Sequence, residues 1–318
     1  KNTRRDLALK SIKVSGWVGL VGMILTLWSG DGSAVDVARV QPMKLAAMEG
    51  LYDGGRGQEI VGIGILDPSK QRTDDKDPYL FKIAIPYGLS FLATHDINGF
   101  VPGINDLIEG REITAEGDTV KTVSYAERIA RGKLAHEALR AFDRAMTVDD
   151  KAAMESARAD LKVNYPYFGY GYLDSVDEAV PPVGMTFYSF HIMVIFGSYL
   201  FLFLILAVYA VYRRPGWWNN RLLLWISILS VAVVWICSQA GWVTAEVGRQ
   251  PWIIEGLMPT RAAVSAVSTA SVQLTFWMFA VVFTCLLAAE AVIMIRFIGK
   301  ESRTTDIDDG QPVDNNEY

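Results

Sequence analysis

Residues 222–245 read LLLWISILSVAVVWICSQAGWVTA, and Glu246-Val-Gly-Arg-Gln-Pro-Trp252 then ends the run with a carboxylate, a guanidinium and a proline. The apolar part carries no Asp, Glu, Lys or Arg. As a helix it can cross a bilayer core, which takes about 20 residues at about 1.5 Å each. Three similar runs lie at 7–28, 186–212 and 272–298. The first is short in its clean part, 14–28, and Lys10 and Lys13 lengthen it by snorkelling back to the interface. Overall the 318 residues are 51% hydrophobic, which a soluble protein could also show; the clustering into spans decides the class. The expected fold is an all-α integral membrane protein, with four transmembrane helices and a large, mostly helical extracytoplasmic loop domain.

Basic residues set the orientation. Lys1, Arg4 and Arg5 precede the first span, Arg213, Arg214 and Arg221 join the second to the third, and Arg296, Lys300 and Arg303 follow the fourth. With four spans these three places share one side, which the positive-inside rule makes cytoplasmic. The segment 29–185 and the stretch around 246–261 then face outwards. The chain divides into a first transmembrane helix (1–28), an outer loop (29–185), a three-helix transmembrane bundle (186–298) and a disordered acidic cytoplasmic tail (299–318). A first residue of lysine points to a fragment or a processed chain, and no signal peptide of the usual form is seen. Cys237 and Cys285 both lie inside apolar runs and read as small packing residues. A net charge of −5 over mixed-sign segments argues against nucleic acid as a partner.

The outer segment is too long for a plain loop and should carry structure of its own. Ile60-Val-Gly-Ile-Gly-Ile-Leu66 and Leu80-Phe-Lys-Ile-Ala-Ile-Pro-Tyr87 read as extended pieces, separated by a mobile polar stretch at 68–78. Tyr125, Ile129, Leu139, Phe142 and Met146 fall near helical spacing and predict an amphipathic helix over 123–146. Thr147 with Asp150 predicts a capping box opening a second helix. The aromatic, glycine-rich 165–172 leads back to the membrane.

Three constellations at the outer membrane face could carry chemistry. Gln41-Pro-Met-Lys-Leu-Ala-Ala-Met-Glu49 offers Gln41, Lys44 and Glu49 to a small polar head group whose tail stays in lipid; on composition alone an ordinary surface helix is the better account. Met193 lies about 10 Å into the second span by helical rise. It is either a packing residue or a soft axial ligand to haem iron. His191, two residues away, points roughly 200° from it, so the two cannot share one iron. A histidine within a span is the more unusual of the two. At the end of the third span, the simplest account pairs Glu246 with Arg249 across one turn, puts Trp242 and Trp252 in an interfacial belt and lets Pro251 stop the helix. Alternatively Glu246 ligates a metal or shuttles protons and Arg249 meets a haem propionate. Glu290, in the fourth span, is most simply paired with a neighbouring helix or with Arg296.

The stretches GWVTAEVGRQPW, QPMKLAAME and FHIMV together resemble subunit I of the cytochrome bd-type quinol oxidases. The resemblance runs along the whole chain but only along the C-terminal half of that family's nine-span subunit, and the length of 29–185 resembles the long-loop subfamily. It implies an electrogenic quinol:oxygen oxidoreductase of the bacterial cytoplasmic (inner) membrane. Quinol would be oxidised at the outer face, and oxygen reduced to water with cytoplasmic protons and without a pump. By the same resemblance Met193 corresponds to the axial methionine of haem b558, Glu246 to the ligand of haem b595, Trp242 to a tryptophan between haems, and Arg249 to a propionate partner. Gln41, Lys44 and Glu49 correspond to quinol-binding residues of the loop. His191 stands where the family often has arginine, which touches haem potential or quinol affinity. The histidine partner of haem b558, the ligand of haem d (or a third haem b) and the proton-path carboxylates belong to the family's N-terminal half; His95 and His136, in the outer segment, cannot replace them. Implied partners are that N-terminal half, oxidase subunit II, a small single-helix subunit and membrane lipid. The competing class is a non-catalytic sensor or adaptor, anchored by four helices and binding a ligand outside.

Overall fold

A computed structural model describes residues 2–113 and 119–308. The chain separates into two compact units, 1–263 and 264–318. In the first unit, α1 (Asn2–Val40) leads through Gln41 into the short α2 (Pro42–Met48), where Pro42 suits the first helical turn because its missing N–H would be unpaired there anyway. Next come β1 (Gly55–Arg56), β2 (Ile60–Leu66), β3 (Tyr79–Ile85), α3 (Gly88–Thr94), β4 (Phe100–Val101), α4 (Ile104–Glu109), β5 (Arg111–Ile113) and β6 (Thr119–Lys121). Two longer helices follow, α5 (Tyr125–Thr147) and α6 (Lys151–Asn164), then the 3-10 turn Tyr165–Tyr172. The long α7 (Val183–Arg213) and α8 (Arg221–Val247) form a hairpin, and a two-stranded ribbon of β7 (Trp252–Ile254) and β8 (Met258–Pro259) closes the unit. The second unit holds α9 (Thr269–Asp308).

Helices α1, α7, α8 and α9 each contain a stretch long and apolar enough to cross a membrane, as the four expected spans require. Small residues set the packing of α1 on α7. A Cβ on Gly16 would lie 2.7 Å from the Val208 side chain, and one on Gly19 3.1 Å from Leu204. Close backbone approach of this kind is how apolar helices associate in lipid. Arg5 donates to the carbonyl of Pro215 in the α7–α8 turn (3.2 Å), and Tyr199 and Ser230 share a hydrogen bond of 2.8 Å between α7 and α8.

The outer segment departs from expectation in several places. Its first twelve residues, 29–40, do not leave the helix: α1 runs on through Ser29-Gly-Asp-Gly-Ser33 to Val40. Paired strands accompany its helices: β2 with β3, β1 with β4 and β5 with β6, all antiparallel. The polar stretch at 68–78 is tied down, with Lys70 bound to Asp74 (2.9 Å) and Arg72 to Asp177 (2.8 Å). Helix α5 presents Gly132, Ala135 and Ala138 as buried residues beside Tyr125 and Ile129, whereas Met146 is exposed. The reason is the close approach of the 165–172 turn: a Cβ on Gly132 would sit 2.4 Å from the Tyr167 carbonyl. The cap of α6 is Asp150 alone, accepting from the amides of Ala152 and Ala153, while Thr147 turns its hydroxyl back to Asp143 and Arg144 inside α5. Helix α9 continues past Lys300 to Asp308, so only 309–318 of the expected tail is left, and it lies outside the described residues. Glu290 makes no ion pair among the described residues.

The main core of the first unit joins Met43 and Ala46 of α2, Ile104 and Leu107 of α4, Tyr125 and Ile129 of α5, Tyr170 and Trp252. Trp252 is therefore no interfacial belt residue. It is 2% exposed, and its ring meets Tyr170 edge-on at 4.9 Å. This single side chain fastens the ribbon after α8 to α2, α4 and α5, and a buried aromatic of that size contributes on the order of 3–5 kcal/mol.

Candidate functional site

Helix α2 crosses the Val183/Val247 end of the α7–α8 hairpin, and the reason lies in glycine. A Cβ on Gly248 would approach Lys44 Cε to 3.2 Å, Thr186 Cγ2 to 3.1 Å and the Thr244 carbonyl to 2.7 Å. Only a bare α-carbon lets the three helices converge there. The convergence carries Lys44 Nζ to the carbonyl of Ala245 (3.3 Å), in the last turn of α8, where the helix dipole favours a cation. Burial lowers the pKa of this ammonium, the Arg249 guanidinium lowers it further, and the Glu246 carboxylate partly restores it. Lys44, Glu246 and Arg249, far apart in sequence, therefore share one electrostatic neighbourhood.

Glu246 and Arg249 themselves form no ion pair among the described residues, so the expected pairing across one turn is not made. Glu246 is exposed on α8, one turn beyond Trp242, which is 63% exposed. The two form a lateral face of α8 that this unit leaves uncovered. Met193 is half-buried and lies on the α8 side of α7: a Cβ on Gly241 would stand 3.0 Å from its Sδ, and Cys237 Sγ donates to its carbonyl at 3.4 Å. Ser189 and Thr244, one turn nearer the Val183/Val247 end, join the helices by a buried hydrogen bond of 2.9 Å.

His191 points elsewhere, as its angular offset from Met193 requires. The ring stacks on Phe187 at 3.9 Å, and its nitrogens lie 2.8 Å from the carbonyls of Phe187 and Val61. A neutral ring donates to one of these carbonyls, and the tautomer decides which. Buried between these two carbonyls, His191 ties β2 to α7.

Gln41 precedes α2 without capping it by its side chain. Glu49, at the other end of α2, is 2% exposed, and neither carboxylate oxygen makes a hydrogen bond of good geometry, the Val61 amide being the nearby donor. Burial raises its pKa from 4.5 to about 8, with a smaller opposing contribution from the Val61 amide. Its main-chain carbonyl accepts from the Tyr79 hydroxyl. Beside Glu49 lies a cavity of about 500 Å³, walled by the 49–53 turn, the 58–61 stretch and the 70–82 stretch. Lys44 and Glu49 thus stand at opposite faces of one short helix, the first against the membrane hairpin and the second against the cavity.

No group of three or more His, Cys, Asp or Glu is gathered to hold a bare metal ion among the described residues. A bare ion needs three or four protein ligands, whereas iron held in a macrocycle needs one or two side chains. A thioether at Met193, an unpaired carboxylate at Glu246, and the cations Lys44 and Arg249 fit the second case. Sequence reasoning missed Gly241, Gly248, Tyr79 and the cavity. A glycine inside an apolar run was the one available signal, and it does not by itself say what approaches.

The family profile described as "Cytochrome bd terminal oxidase subunit I" matches residues 1–302. Among curated proteins, the "Cytochrome bd-II ubiquinol oxidase subunit 1" of Escherichia coli is 31% identical over 300 residues, 93% of this chain and 56% of that protein. The "Cytochrome bd ubiquinol oxidase subunit 1" of Bacillus subtilis is 26% identical, over 92% of this chain and 48% of that protein. Among solved structures, the bd oxidase of Geobacillus thermodenitrificans superposes with a TM-score of 0.58 at 21% identity, covering 93% of this chain and 50% of that one. The chain spans about half the length of the curated relatives it matches. Its sequence, its four spans and its fold agree, and the chain belongs to the cytochrome bd terminal oxidase subunit I family.

Proposed function

We propose that the chain is the C-terminal part of the catalytic subunit of a bd-type quinol oxidase in a bacterial inner membrane, with the 29–185 segment on the periplasmic side and the C-terminus in the cytoplasm. The observation that carries this reading is the convergence of α2 on the outer end of α8, which sets Lys44 beside Glu246 and Arg249 while Glu49 keeps a buried, unbonded carboxylate.

In this reading the quinol ring lies against α2 with its tail in lipid, its hydroxyls near Gln41 and Lys44, and Glu49 is the buried acid on the opposite face of the same helix. Glu49 is mostly neutral at pH 7 and becomes a proton acceptor as the pH approaches 8. Met193 would hold the iron of a haem b558 and Glu246 that of a haem b595, with Trp242 beside Glu246 on the same face of α8. Arg249 and Lys44 supply fixed positive charge for propionates at the outer end. Bound haem supplies one-electron transfer from quinol and reduction of oxygen to water. His191 acts at one remove, by fixing β2 and hence the wall of the loop domain. The ligand for a haem d or third haem b is assigned to the N-terminal half of the subunit, with subunit II and a small single-helix subunit completing the complex.

The test is a reduced-minus-oxidised visible spectrum of the complete complex, wild type beside Met193→Leu and Glu246→Gln. The reading requires that Met193→Leu removes the low-spin b-type signal or turns it high-spin, and that Glu246→Gln perturbs the high-spin b-type signal. A wild-type complex without haem would instead favour an anchored sensor or adaptor.

A further inference from the structure

The β2–β3 ribbon sorts its side chains by face. Val61, Gly64 and Tyr79 turn to α7: a Cβ on Gly64 would stand 3.0 Å from Phe187 Cζ, and the Tyr79 and Phe187 rings lie 5.9 Å apart. Side chains alternate across a strand, so Ile63 with its partner Ile83, Ile65 with its partner Phe81, and Ile85 fall on the opposite face. These five side chains carry no polar atom and are 49–64% exposed. A two-stranded ribbon is marginal by itself, and an apolar patch of this kind marks a surface that something covers.

What covers it follows from where the ribbon stands. The Leu66 amide donates to the Tyr188 hydroxyl (3.0 Å), and His191 Nε2 lies 2.8 Å from the Val61 carbonyl. By helical rise, Tyr188 and His191 are about 8 and 12 Å along α7 from its start at Val183. Strand β2 therefore runs beside the first turns of a membrane span, its Val61 end the deeper and its Leu66 end nearer Val183. Charge follows the same axis. Seven of the eleven residues 67–77, beyond the Leu66 end, are charged, and Arg72 of this turn pairs with Asp177 ahead of α7. The strands themselves hold one charge, Lys82, which pairs with Glu59. After β3, at the deeper end, α3 extends the apolar surface. It packs Leu89 and Ala93 against Val37 and Ala38 of α1 and leaves Phe91 exposed. His95, just past α3, pairs with Asp31, three residues after the first apolar run ends at Trp28.

A charged turn at one end and an apolar face beside the span match the polarity gradient of a bilayer surface. A protein partner would ask for more, because protein interfaces carry about one hydrogen bond per 100–200 Å² and these side chains offer no donor or acceptor. Nor can the ribbon go deep, since its open edges leave backbone groups that hydrocarbon does not tolerate unpaired. We propose that the β2–β3 ribbon is a membrane-interface anchor, its apolar face seated on phospholipid at the boundary of head groups and acyl chains, about 5–10 Å deep. The anchor fixes the height of the loop domain from the α7 side. It goes beyond the oxidase reading and does not depend on which cofactor or substrate the chain binds.

The test places the photoreactive residue p-benzoylphenylalanine at Phe81, at Ile83, or at Asp75 in the charged turn. The complete complex is reconstituted in vesicles of phosphatidylethanolamine and phosphatidylglycerol, irradiated, and its adducts are identified by mass spectrometry. All three side chains are exposed, so the replacements leave the packing intact, and hydrogen exchange of α5 at the wild-type rate verifies this. Acyl-chain adducts should form at 81 and 83 at least about fivefold more than at 75, as an interfacial depth requires. Adducts at 81 and 83 with peptides of the oxidase would show that another part of the complex covers the face. Equal lipid labelling at the three positions, or none, would put the ribbon in water. Either result overturns the anchor.

Discussion

Replacing Glu49 by glutamine keeps the side-chain shape and removes the titration, which isolates the cost of its burial. The carboxyl moves from an ordinary 4.5 in the unfolded chain to about 8 in the fold. Between these values the folded state holds one proton more than the unfolded state. Stability therefore falls as pH rises across this window, by about 1.4 kcal/mol per pH unit. Over the whole window the loss approaches about 5 kcal/mol, a large share of the stability of any single domain. Limited proteolysis of the outer segment in the complete complex measures it, because cleavage tracks the open population when opening and closing are fast. Wild type and Glu49→Gln should resist protease alike at pH 5 and diverge steadily towards pH 8, the variant becoming the more resistant. Glu255, which burial raises to about 7, also titrates in this range, and burial lowers the pKa of His136. Both are present in both proteins, so the difference between the two curves belongs to Glu49. Parallel curves from pH 5 to pH 8.5 would refute the argument that the carboxylate is buried without a partner.

Three further substitutions probe the frame around the site. Gly241→Ala places a methyl 3.0 Å from Met193 Sδ, so it should cost about 1–3 kcal/mol in thermal stability and shift the low-spin haem spectrum; an unchanged spectrum and melting point would mean that the thioether does not face Gly241. Trp252→Ala should cost about 3–5 kcal/mol and loosen the ribbon after α8, read as faster hydrogen exchange at 252–259. His191→Arg replaces the compact ring stacked on Phe187 and set against the Val61 carbonyl by a longer cation, so quinol turnover or the quinol KM should change; a variant matching wild type in both would end the case for His191 as a determinant of the loop.

The membrane frame was legible because each span is a long run without charge, and no tertiary detail is needed to read it. Strand Ile60–Leu66 was legible because a β-branched, glycine-punctuated run admits little else. The onward course of α1 through 29–40 was not, since Ser29-Gly-Asp-Gly-Ser33 reads locally as a turn. Packing overrides that preference: Val37 and Ala38 lie against the buried Leu45, Leu89, Ala93 and Val101. Thr147 misled for a related reason, because either of two neighbouring polar residues can cap a helix and geometry chooses between them. Gln41, Lys44 and Glu49 were picked out by resemblance, but sequence could not tell their different settings. The bond from Lys44 to Ala245 spans 201 residues, and the isolation of the Glu49 carboxylate depends on the strands folded over it.

The continuity of α1 and α2 has a consequence for how this protein can vary. Only Gln41 separates the two helices, and the Gln41 amide still bonds to the Val37 carbonyl (2.9 Å), so 29–40 acts as a rigid stalk rather than a tether. Removing one residue from a helix turns everything beyond it by about 100° and draws it in by about 1.5 Å. A single deletion between the bilayer and Val40 would therefore swing Lys44 off the end of α8 and pull Glu49 out of its cavity together. The stalk tolerates substitution but not a change of register.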